Sequence, residues 1–198
     1  MTALFVAFEG IDGCGKSTQA RRVADAAGAH FTFEPGDTAL GATLRERLLD
    51  ASQPMTPETE ALLMLADRAH HVASVIAPRV ERGERVVTDR FLGSTLAYQG
   101  SGRGVDLEIL ERATELAVGS YRPDLTLLID IPVDVAHSRR TPDRRDRFEA
   151  AGIEFHERVR AGFLTLAQRH DNWVVIDGAR DRAAVDASVD DALRTIGW

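Results

Sequence analysis

Residues 10–17 read Gly-Ile-Asp-Gly-Cys-Gly-Lys-Ser, and the fold prediction rests on them. It follows an apolar run at residues 3–8 and precedes a segment with helical character. The glycines permit a tight turn whose N–H groups point inward, the lysine adds a mobile positive charge, and the serine adds a hydroxyl. The spacing is the Gly-x-x-x-x-Gly-Lys-Ser pattern of a phosphate-binding loop between a strand and a helix, whose dipole also favours an anion.

Strand and helix patterns alternate along the rest of the chain. Five apolar runs predict buried parallel strands, at residues 3–8, 30–33, 85–88, 125–131 and 173–176. The intervening helical patterns include residues 19–27, 106–118 and 149–170. No linker or repeat divides the 198 residues, so we expect one domain over residues 1–198. The alternation predicts an α/β fold of three layers, a parallel sheet between helices, with ligands at the carboxyl ends of the strands.

A third helix is predicted to begin at Thr56-Pro57-Glu58, where proline suits the first turn. Pro78 should kink this helix or lie near its end. Its apolar side chains are predicted to form one stripe: Leu62, Leu65, Ala69, Val72, Ala73, Ile76 and Val80.

The composition limits the partners that this chain can have. A net charge of −7 argues against a nucleic-acid polymer, which usually requires a basic face. One cysteine excludes an internal disulfide and fits a reducing compartment. No apolar stretch reaches the roughly 20 residues that a membrane helix needs, so we expect a cytoplasmic protein with no membrane contact.

Two charged segments are candidates for further chemistry. In Arg85-Val86-Val87-Thr88-Asp89-Arg90 an apolar strand ends in a carboxylate that could organise Mg²⁺, with a cation directly after it. The alternative is an ion pair on the surface. Residues 139–147 contain five arginines, which predicts a lid over about residues 139–149 that closes over a nucleotide. The alternative there is a solvated surface loop.

The residues resemble the thymidylate kinase family, in its bacterial type. The resemblance covers essentially the whole chain. Its motifs are Phe8-Glu9-Gly10 leading into the loop, Asp89-Arg90-Phe91, Ser94-Thr95, Ala97-Tyr98-Gln99-Gly100, Gly102-Arg103-Gly104, Tyr121-Arg122-Pro123-Asp124 and Asp146-Arg147-Phe148-Glu149.

The resemblance implies a P-loop NTPase fold and a kinase that transfers the γ-phosphoryl group of ATP to dTMP, giving ADP and dTDP. It implies ATP contacts at Gly10, Ile11, Asp12, Gly13, Cys14, Gly15, Lys16, Ser17 and Thr18, and Mg²⁺ at Ser17 and Asp89. It implies dTMP contacts at Asp12, Glu34, Pro35, Met64, Arg68, Arg90, Ser94, Thr95, Tyr98 and Gln99. Catalytic roles would fall on Lys16, Asp12, Arg90 and the lid residues Arg139, Arg140, Arg144 and Arg145. It also implies a homodimer, with the third helix as a possible interface.

Four positions, Gly13, Phe33, Asp37 and Met64, differ from what some or many members of the family have. Some relatives have arginine where this chain has Gly13, so the catalytic cation should come from the lid. Many bacterial members read Arg-Glu-Pro-Gly-Gly-Thr where this chain reads Phe33-Glu34-Pro35-Gly36-Asp37-Thr38. Met64 stands where an aromatic residue stacks on thymine. Another nucleoside or nucleoside-monophosphate kinase therefore remains an alternative, as does a non-catalytic nucleotide switch.

Cys14 has two readings. It is either a small side chain at a crowded turn or a thiol of low pKa near a helix N-terminus.

Overall fold

The computed structural model describes residues 4–139, 147–148 and 151–198. Within them, five parallel strands form one sheet in the order β2-β3-β1-β4-β5. The strands are β1 (Phe5–Glu9), β2 (His30–Phe33), β3 (Val86–Asp89), β4 (Leu125–Asp130) and β5 (Trp173–Asp177). The predicted parallel five-stranded sheet is confirmed. The central strand β1 is buried along its whole length, which is why it reads as a continuous apolar run.

Helices cover the sheet on both faces. They are α1 (Lys16–Ala27), α2 (Ala39–Leu49), α3 (Pro57–His71), α4 (Ala77–Glu81), α5 (Leu92–Thr95), α6 (Leu107–Val118), α7 (Val133–Ser138), α8 (Ile153–Arg169) and α9 (Arg182–Arg194). Two π-helical segments, Val72–Ile76 and Leu96–Gly102, continue α3 and α5. Among these described segments, none is both long and apolar enough to cross a bilayer. Helix α1 begins at Lys16 rather than at the predicted residue 19, because the glycine loop enters the helix directly.

Helix α3 begins where the sequence predicts, and Thr56 caps it by accepting a hydrogen bond from the Thr59 N–H. The single apolar stripe predicted for it is wrong. Leu65, Val72 and Ile76 are buried, whereas Leu62, Ala69 and Ala73 are exposed. Only part of the predicted stripe is buried, because Arg68 and His71 occupy the rest of the buried face of α3. Hydrophobic periodicity does not predict this, since it assigns charged side chains to the surface. Pro78 lies in the first turn of α4, after the first π-helical segment.

The glycine loop is wedged against two neighbouring elements. A Cβ on Gly10 would lie 2.5 Å from the Ile129 carbonyl oxygen of β4, and one on Gly13 would lie 2.6 Å from the Ala136 carbonyl oxygen of α7. Both residues have positive φ, 141° and 88°. Gly15 also has a positive φ, 96°, but a Cβ there would meet no neighbouring atom. The chain therefore has no room for a side chain at Gly13, the position at which some relatives are expected to have arginine.

The two glycines make a matched test of this packing. Gly15→Ala should cost only the left-handed backbone penalty, about 1–2 kcal/mol, whereas Gly13→Ala should cost about 2–4 kcal/mol because the methyl group also displaces α7. Urea unfolding of the two variants would measure the difference. Equal losses of stability would contradict the contact with Ala136.

Candidate active site

A half-open cavity of about 580 Å³, including its mouth, opens beside the glycine loop. All ten residues that the family resemblance assigned to dTMP line it: Asp12, Glu34, Pro35, Met64, Arg68, Arg90, Ser94, Thr95, Tyr98 and Gln99. Four further lining residues were not among those assigned to dTMP: Arg45, Leu49, Asp67 and Phe148. The fold thus brings together residues from the glycine loop, the segments that follow β2 and β3, the helices α2, α3 and α5, and the π-helical segment after α5.

Asp12 and Arg90 form the contact that links the glycine loop to the end of β3. Arg90 Nη2 donates to Asp12 Oδ1 at 2.5 Å, and Lys16 Nζ lies 3.4 Å from the same oxygen. The Tyr98 hydroxyl donates to Asp12 Oδ2 at 2.9 Å and accepts from Arg90 Nη2 at 3.1 Å. The loop therefore holds one carboxylate between two cations and a phenol.

This cluster strongly favours the charged forms of its ion pair. Burial alone would raise the pKa of Asp12, but the Arg90 guanidinium and the Lys16 ammonium outweigh it and hold the pKa far below its usual range. Burial would likewise lower the pKa of Arg90, and the Asp12 carboxylate instead holds it well above normal. Burial raises the pKa of the Tyr98 hydroxyl, so this group stays protonated and can donate. A fixed positive charge therefore stands at the mouth of the loop.

Glu9, the last residue of β1, fixes the backbone around Arg90. Its side chain is fully buried and accepts hydrogen bonds from the N–H groups of Phe91 and Ser94, both at 3.0 Å. Arg90 has φ of 71°, a left-handed conformation that costs free energy in a non-glycine residue. Its own N–H donates to the Phe8 carbonyl at 2.8 Å. These bonds hold the strained residue on both sides.

Glu9 also reaches the Arg90 side chain through one hydroxyl. The Ser94 Oγ donates to Glu9 Oε2 at 2.6 Å and accepts from Arg90 Nη1 at 2.8 Å. Burial raises the pKa of Glu9, and the hydrogen bond from Ser94 opposes that rise. The sequence signal for Glu9 was available, because a charged residue directly after an apolar strand needs buried partners.

Arg68 is held on the opposite wall of the cavity. Its guanidinium donates to Glu34 Oε2 at 2.7 Å, to the Thr95 hydroxyl at 2.6 Å and to the Phe91 carbonyl at 2.7 Å. Burial would raise the pKa of Glu34, but Arg68 outweighs burial and keeps it below its usual range. Gln99 is fixed in the same wall, since its amide donates to Glu60 Oε1 at 2.9 Å. This wall presents oriented polar groups rather than mobile side chains.

Asp67 and Arg45 add charge to the cavity. Burial raises the pKa of Asp67 to about 6, with the Glu34 carboxylate contributing, and its Oδ1 has no hydrogen-bond partner among the described residues. Arg45 donates to the Pro35 carbonyl at 2.6 Å and lies 5.9 Å from the centre of the Phe33 ring. Arg45 thus brings a cation to the region where the resemblance predicts an arginine and this chain has Phe33.

The phosphate-binding and metal-binding predictions fall on one edge of the sheet. Residues 10–15 form the turn after β1, and Lys16, Ser17 and Thr18 open α1. Ser17 and Thr18 are exposed, while Lys16 is buried with Nζ beside Asp12. Asp89 ends β3, and its Oδ1 is buried without a hydrogen-bond partner among the described residues. An acceptor oxygen that lacks a donor fits a cation such as Mg²⁺.

The predicted lid is only partly described. Arg139 follows α7 and donates to the Gly178 carbonyl at 3.2 Å, so it does not line the cavity. Arg140, Arg144 and Arg145 lie outside the described residues. Arg147 donates to the Asp50 carbonyl at 2.9 Å, and Phe148 packs edge-on against Tyr98 with ring centres 5.6 Å apart. The described end of the predicted lid therefore contacts the cavity wall.

The structure supports the first interpretation of Cys14, a small side chain at a crowded turn. The thiol is buried, burial raises its pKa, and a Cβ on Gly10 would lie 2.8 Å from its sulfur. This environment disfavours a reactive thiolate of low pKa. The side chain instead fills space at the turn.

Comparisons with known proteins agree with this geometry. A family model for thymidylate kinase matches residues 8–189. The thymidylate kinase of Desulforudis audaxviator (strain MP104C) is 47% identical over 195 residues, 95% of this chain and 88% of that protein. That of Carboxydothermus hydrogenoformans is 47% identical over 186 residues, 91% of each chain. A crystal structure of the Ehrlichia chaffeensis thymidylate kinase superposes with a TM-score of 0.80 at 31% identity, covering 98% of this chain and 99% of the other. That superposition confirms the predicted fold class. The family model and the relatives show that the chain belongs to the thymidylate kinase family.

Proposed function

We propose that this protein is a kinase that transfers the γ-phosphoryl group of ATP to dTMP, giving ADP and dTDP. The observation that carries the proposal is the Asp12–Arg90 contact, which places a half-open polar cavity directly against a phosphate-binding loop. One site for a donor and one for an acceptor then share a wall, as transfer between two nucleotides requires.

On the acceptor side, Arg90 would hold the phosphate of dTMP and Arg68 would face the thymine. Thr95 and Gln99 lie in the same wall and are fixed by their own hydrogen bonds, so they would offer a rigid edge for base recognition. Tyr98 is packed against Phe148, Phe155 and Phe163, and this rigidity suits it to exclude a 2′-hydroxyl. Met64 and Pro35 would cover the base and sugar faces.

On the donor side, the N–H groups of the loop and Lys16 would hold the ATP phosphates, with the α1 dipole adding to the attraction. We assign Mg²⁺ to Ser17 and Asp89. Within the described residues no group of three or more acidic, histidine or cysteine side chains is arranged to hold a metal. The ion would therefore share its ligands with ATP, which is the usual habit of Mg²⁺.

The chemistry requires positioning rather than a strong base. An oxygen of the dTMP phosphate attacks the γ-phosphorus of ATP, the bond to the β–γ bridging oxygen breaks, and ADP leaves. The attacking oxygen is already an anion, so no proton needs to be removed. Arg90, Lys16 and the lid arginines, including Arg140, Arg144 and Arg145, would neutralise the charge that spreads over the transferred group. Mg²⁺ would supply further charge neutralisation at the phosphates.

Initial rates of ADP release with dTMP, dUMP, dCMP and dAMP test the proposal. We expect the highest kcat/KM with dTMP. Arg90→Ala should lower that value by about tenfold to a hundredfold, because it removes charge-assisted hydrogen bonds to the acceptor phosphate. Arg82→Ala is the control, since Arg82 is exposed and pairs with Glu84.

Equal rates with all four acceptors would favour a kinase of broader specificity. ATP binding without ADP formation with any acceptor would favour the nucleotide switch.

Glu9 acts on the Arg90 side chain through Ser94, so changes at Glu9 and Ser94 should have non-additive effects on the KM for dTMP. Glu9→Gln keeps the acceptor for the backbone N–H groups but turns a donor toward Ser94, and Ser94→Ala removes the hydroxyl. Each should raise the KM for dTMP by about tenfold and leave the KM for ATP unchanged, and the double variant should be no worse than the poorer single variant. Additive losses in KM would show that the two residues act separately.

Thr114→Val is the control for this cycle. It alters another buried polar side chain, whose Oγ1 has no hydrogen-bond partner among the described residues, and should leave the KM for dTMP unchanged.

We further propose a homodimer through the exposed side of α3. Leu62 is 66% exposed, and Ala66, Ala69 and Ala73 lie on the same face at helical spacing. Helix α6 packs beside α3 and exposes Ile109 and Leu116. Adjacent exposed apolar side chains of this kind favour association with another copy.

Light scattering after gel filtration tests the dimer. Wild-type protein should show twice the chain mass of 21.6 kDa, and Leu62→Glu should shift it toward one chain mass because it buries an unpaired charge at the interface. Val175→Glu on the edge strand β5 is the control and should stay dimeric. A wild-type mass of one chain at every concentration would exclude the interface.

Two broader assignments accompany the proposal. We treat residues 1–198 as one kinase domain, which is supported by a single sheet that positions both halves of the site. A cytoplasmic location fits a kinase that draws on cellular ATP and carries one unpaired cysteine.

A further inference from the structure

His71 lies in a buried chain of polar groups behind the cavity wall. Its side chain is 0% exposed at the end of α3. Its Nδ1 lies 2.8 Å from Glu34 Oε1, and its Nε2 lies 2.5 Å from the Thr32 hydroxyl. That hydroxyl also donates to Asp37 Oδ2 at 2.5 Å. The chain thus runs from Asp37 through Thr32 and His71 to Glu34, and Glu34 in turn binds Arg68.

We propose that His71 is an imidazolium ion in the folded protein, because Glu34, and Thr32 once its hydrogen is given to Asp37, both act as acceptors toward the ring. Glu34, as a carboxylate, has no proton to donate, so Nδ1 must carry one. The Thr32 hydroxyl has a single hydrogen, which it gives to the Asp37 carboxylate. Its oxygen therefore accepts from Nε2, which must carry the second proton.

The surrounding charges agree with a cation at this position. Glu34 is held ionised, because Arg68 outweighs the burial that would raise its pKa. The other charged or titratable groups around His71 are Asp67 and Arg68 on α3, His30 on β2, and Asp37; Arg79 and Glu84 act on His30. Two carboxylates, those of Glu34 and Asp67, thus face Arg68 and His71, and the carboxylate of Asp37 accepts from Thr32 beside the ring. A neutral His71 would leave this buried group with an excess of negative charge, which is costly in the interior.

Asp37 is the residue that sets the state of His71. Without its carboxylate, the Thr32 hydroxyl could turn and donate to Nε2, and a neutral ring protonated only on Nδ1 would satisfy every partner. This chain has Asp37 where many bacterial members of the family have glycine. Asp37 and His71 therefore act together as positioning residues for Glu34 and, through it, for Arg68.

The proposed role in substrate binding rests on the proposed function, because Arg68 is there assigned to the thymine. With His71 charged, the negative charge of Glu34 is divided between two cations. Glu34 then attracts Arg68 less strongly, and Arg68 can donate toward a base. With His71 neutral, Arg68 would be the main counter-charge of Glu34. A stronger pull on Arg68 would then weaken the acceptor site.

Nitrogen-15 NMR of the histidine rings tests the protonation state without any substrate. The chain has six histidines, and loss of signals in His71→Gln identifies those of His71. At neutral pH both ring nitrogens of His71 should carry protons in the wild-type protein. In Asp37→Gly only Nδ1 should be protonated. One protonated nitrogen in the wild type would overturn the proposal, and an unchanged doubly protonated ring in Asp37→Gly would remove the role of Asp37.

Two further variants keep the test decisive. Asp37→Asn retains an acceptor for Thr32, so it should keep both ring protons, and it also serves if Asp37→Gly does not fold. Glu84→Gln removes an exposed nearby charge outside the chain and should leave His71 doubly protonated. If Glu84→Gln also neutralised the ring, general electrostatics rather than the hydrogen-bond chain would determine its state.

Kinetics then separate the positioning role from the proposed function. Asp37→Gly should raise the KM for dTMP by about threefold to tenfold while the KM for ATP stays unchanged. If the NMR spectrum of Asp37→Gly changes as expected but its KM for dTMP does not, the imidazolium assignment stands and its effect on Arg68 is overturned. Absence of dTMP turnover in the wild type would overturn the proposed function and with it the substrate role, and the NMR result would stand on its own.

Discussion

The ion pair between Asp12 and Arg90 is the contact on which the rest of the site depends. Asp12 belongs to the loop after β1, and Arg90 directly follows β3, so their 2.5 Å contact joins two neighbouring strand ends. A loop of this kind can bind a triphosphate alone, as it does in many NTPases. The ion pair gives this loop a second cavity, and Tyr98 closes the contact by bonding to both partners. The geometry of two-substrate chemistry therefore follows from one carboxylate within the loop.

That contact in turn depends on a fully buried carboxylate. Glu9 ends the central strand and binds the backbone after Arg90 at two N–H groups and its guanidinium through Ser94. Leaving a charged group in the interior is expensive unless its hydrogen bonds are satisfied, and here they are satisfied by the segment that must be held. The left-handed backbone of Arg90 is stable only because these bonds fix it from both sides. Strain and burial are both concentrated at the residue that would meet the acceptor.

The sequence predicts the sheet and most of the cavity residues, but not the side chains whose positions depend on distant partners. The physical reasons for the two outcomes differ. Parallel strands buried on both faces read as apolar runs, and the glycine loop fixes the order of strand, loop and helix, so β1 and α1 could be located without a structure. The ten residues placed in the cavity came from local motifs in the family pattern. Hydrophobic periodicity failed on α3, because Arg68 and His71 occupy its buried face while Leu62 and Ala69 do not. Asp67 and Arg45 escaped notice because their importance comes from partners distant in the chain, and Glu9 was quoted in a motif without a role although its position at the end of an apolar strand gave a signal.

The buried charges behind the cavity explain how the chain can depart from the family pattern and keep the wall intact. Relative to the pattern that the resemblance predicts, Phe33 in place of an arginine would remove a cation and Asp37 in place of a glycine would add an anion, which together would disfavour another buried carboxylate at Glu34. Two cations offset that change in different ways. Arg45 reaches the Pro35 carbonyl beside Phe33, and His71 bonds to Glu34 directly. Because the second depends on Thr32 passing its hydrogen to Asp37, the added carboxylate itself favours the cation that balances it. The two substitutions are therefore better understood as one coupled change in the electrostatics of the wall than as separate losses.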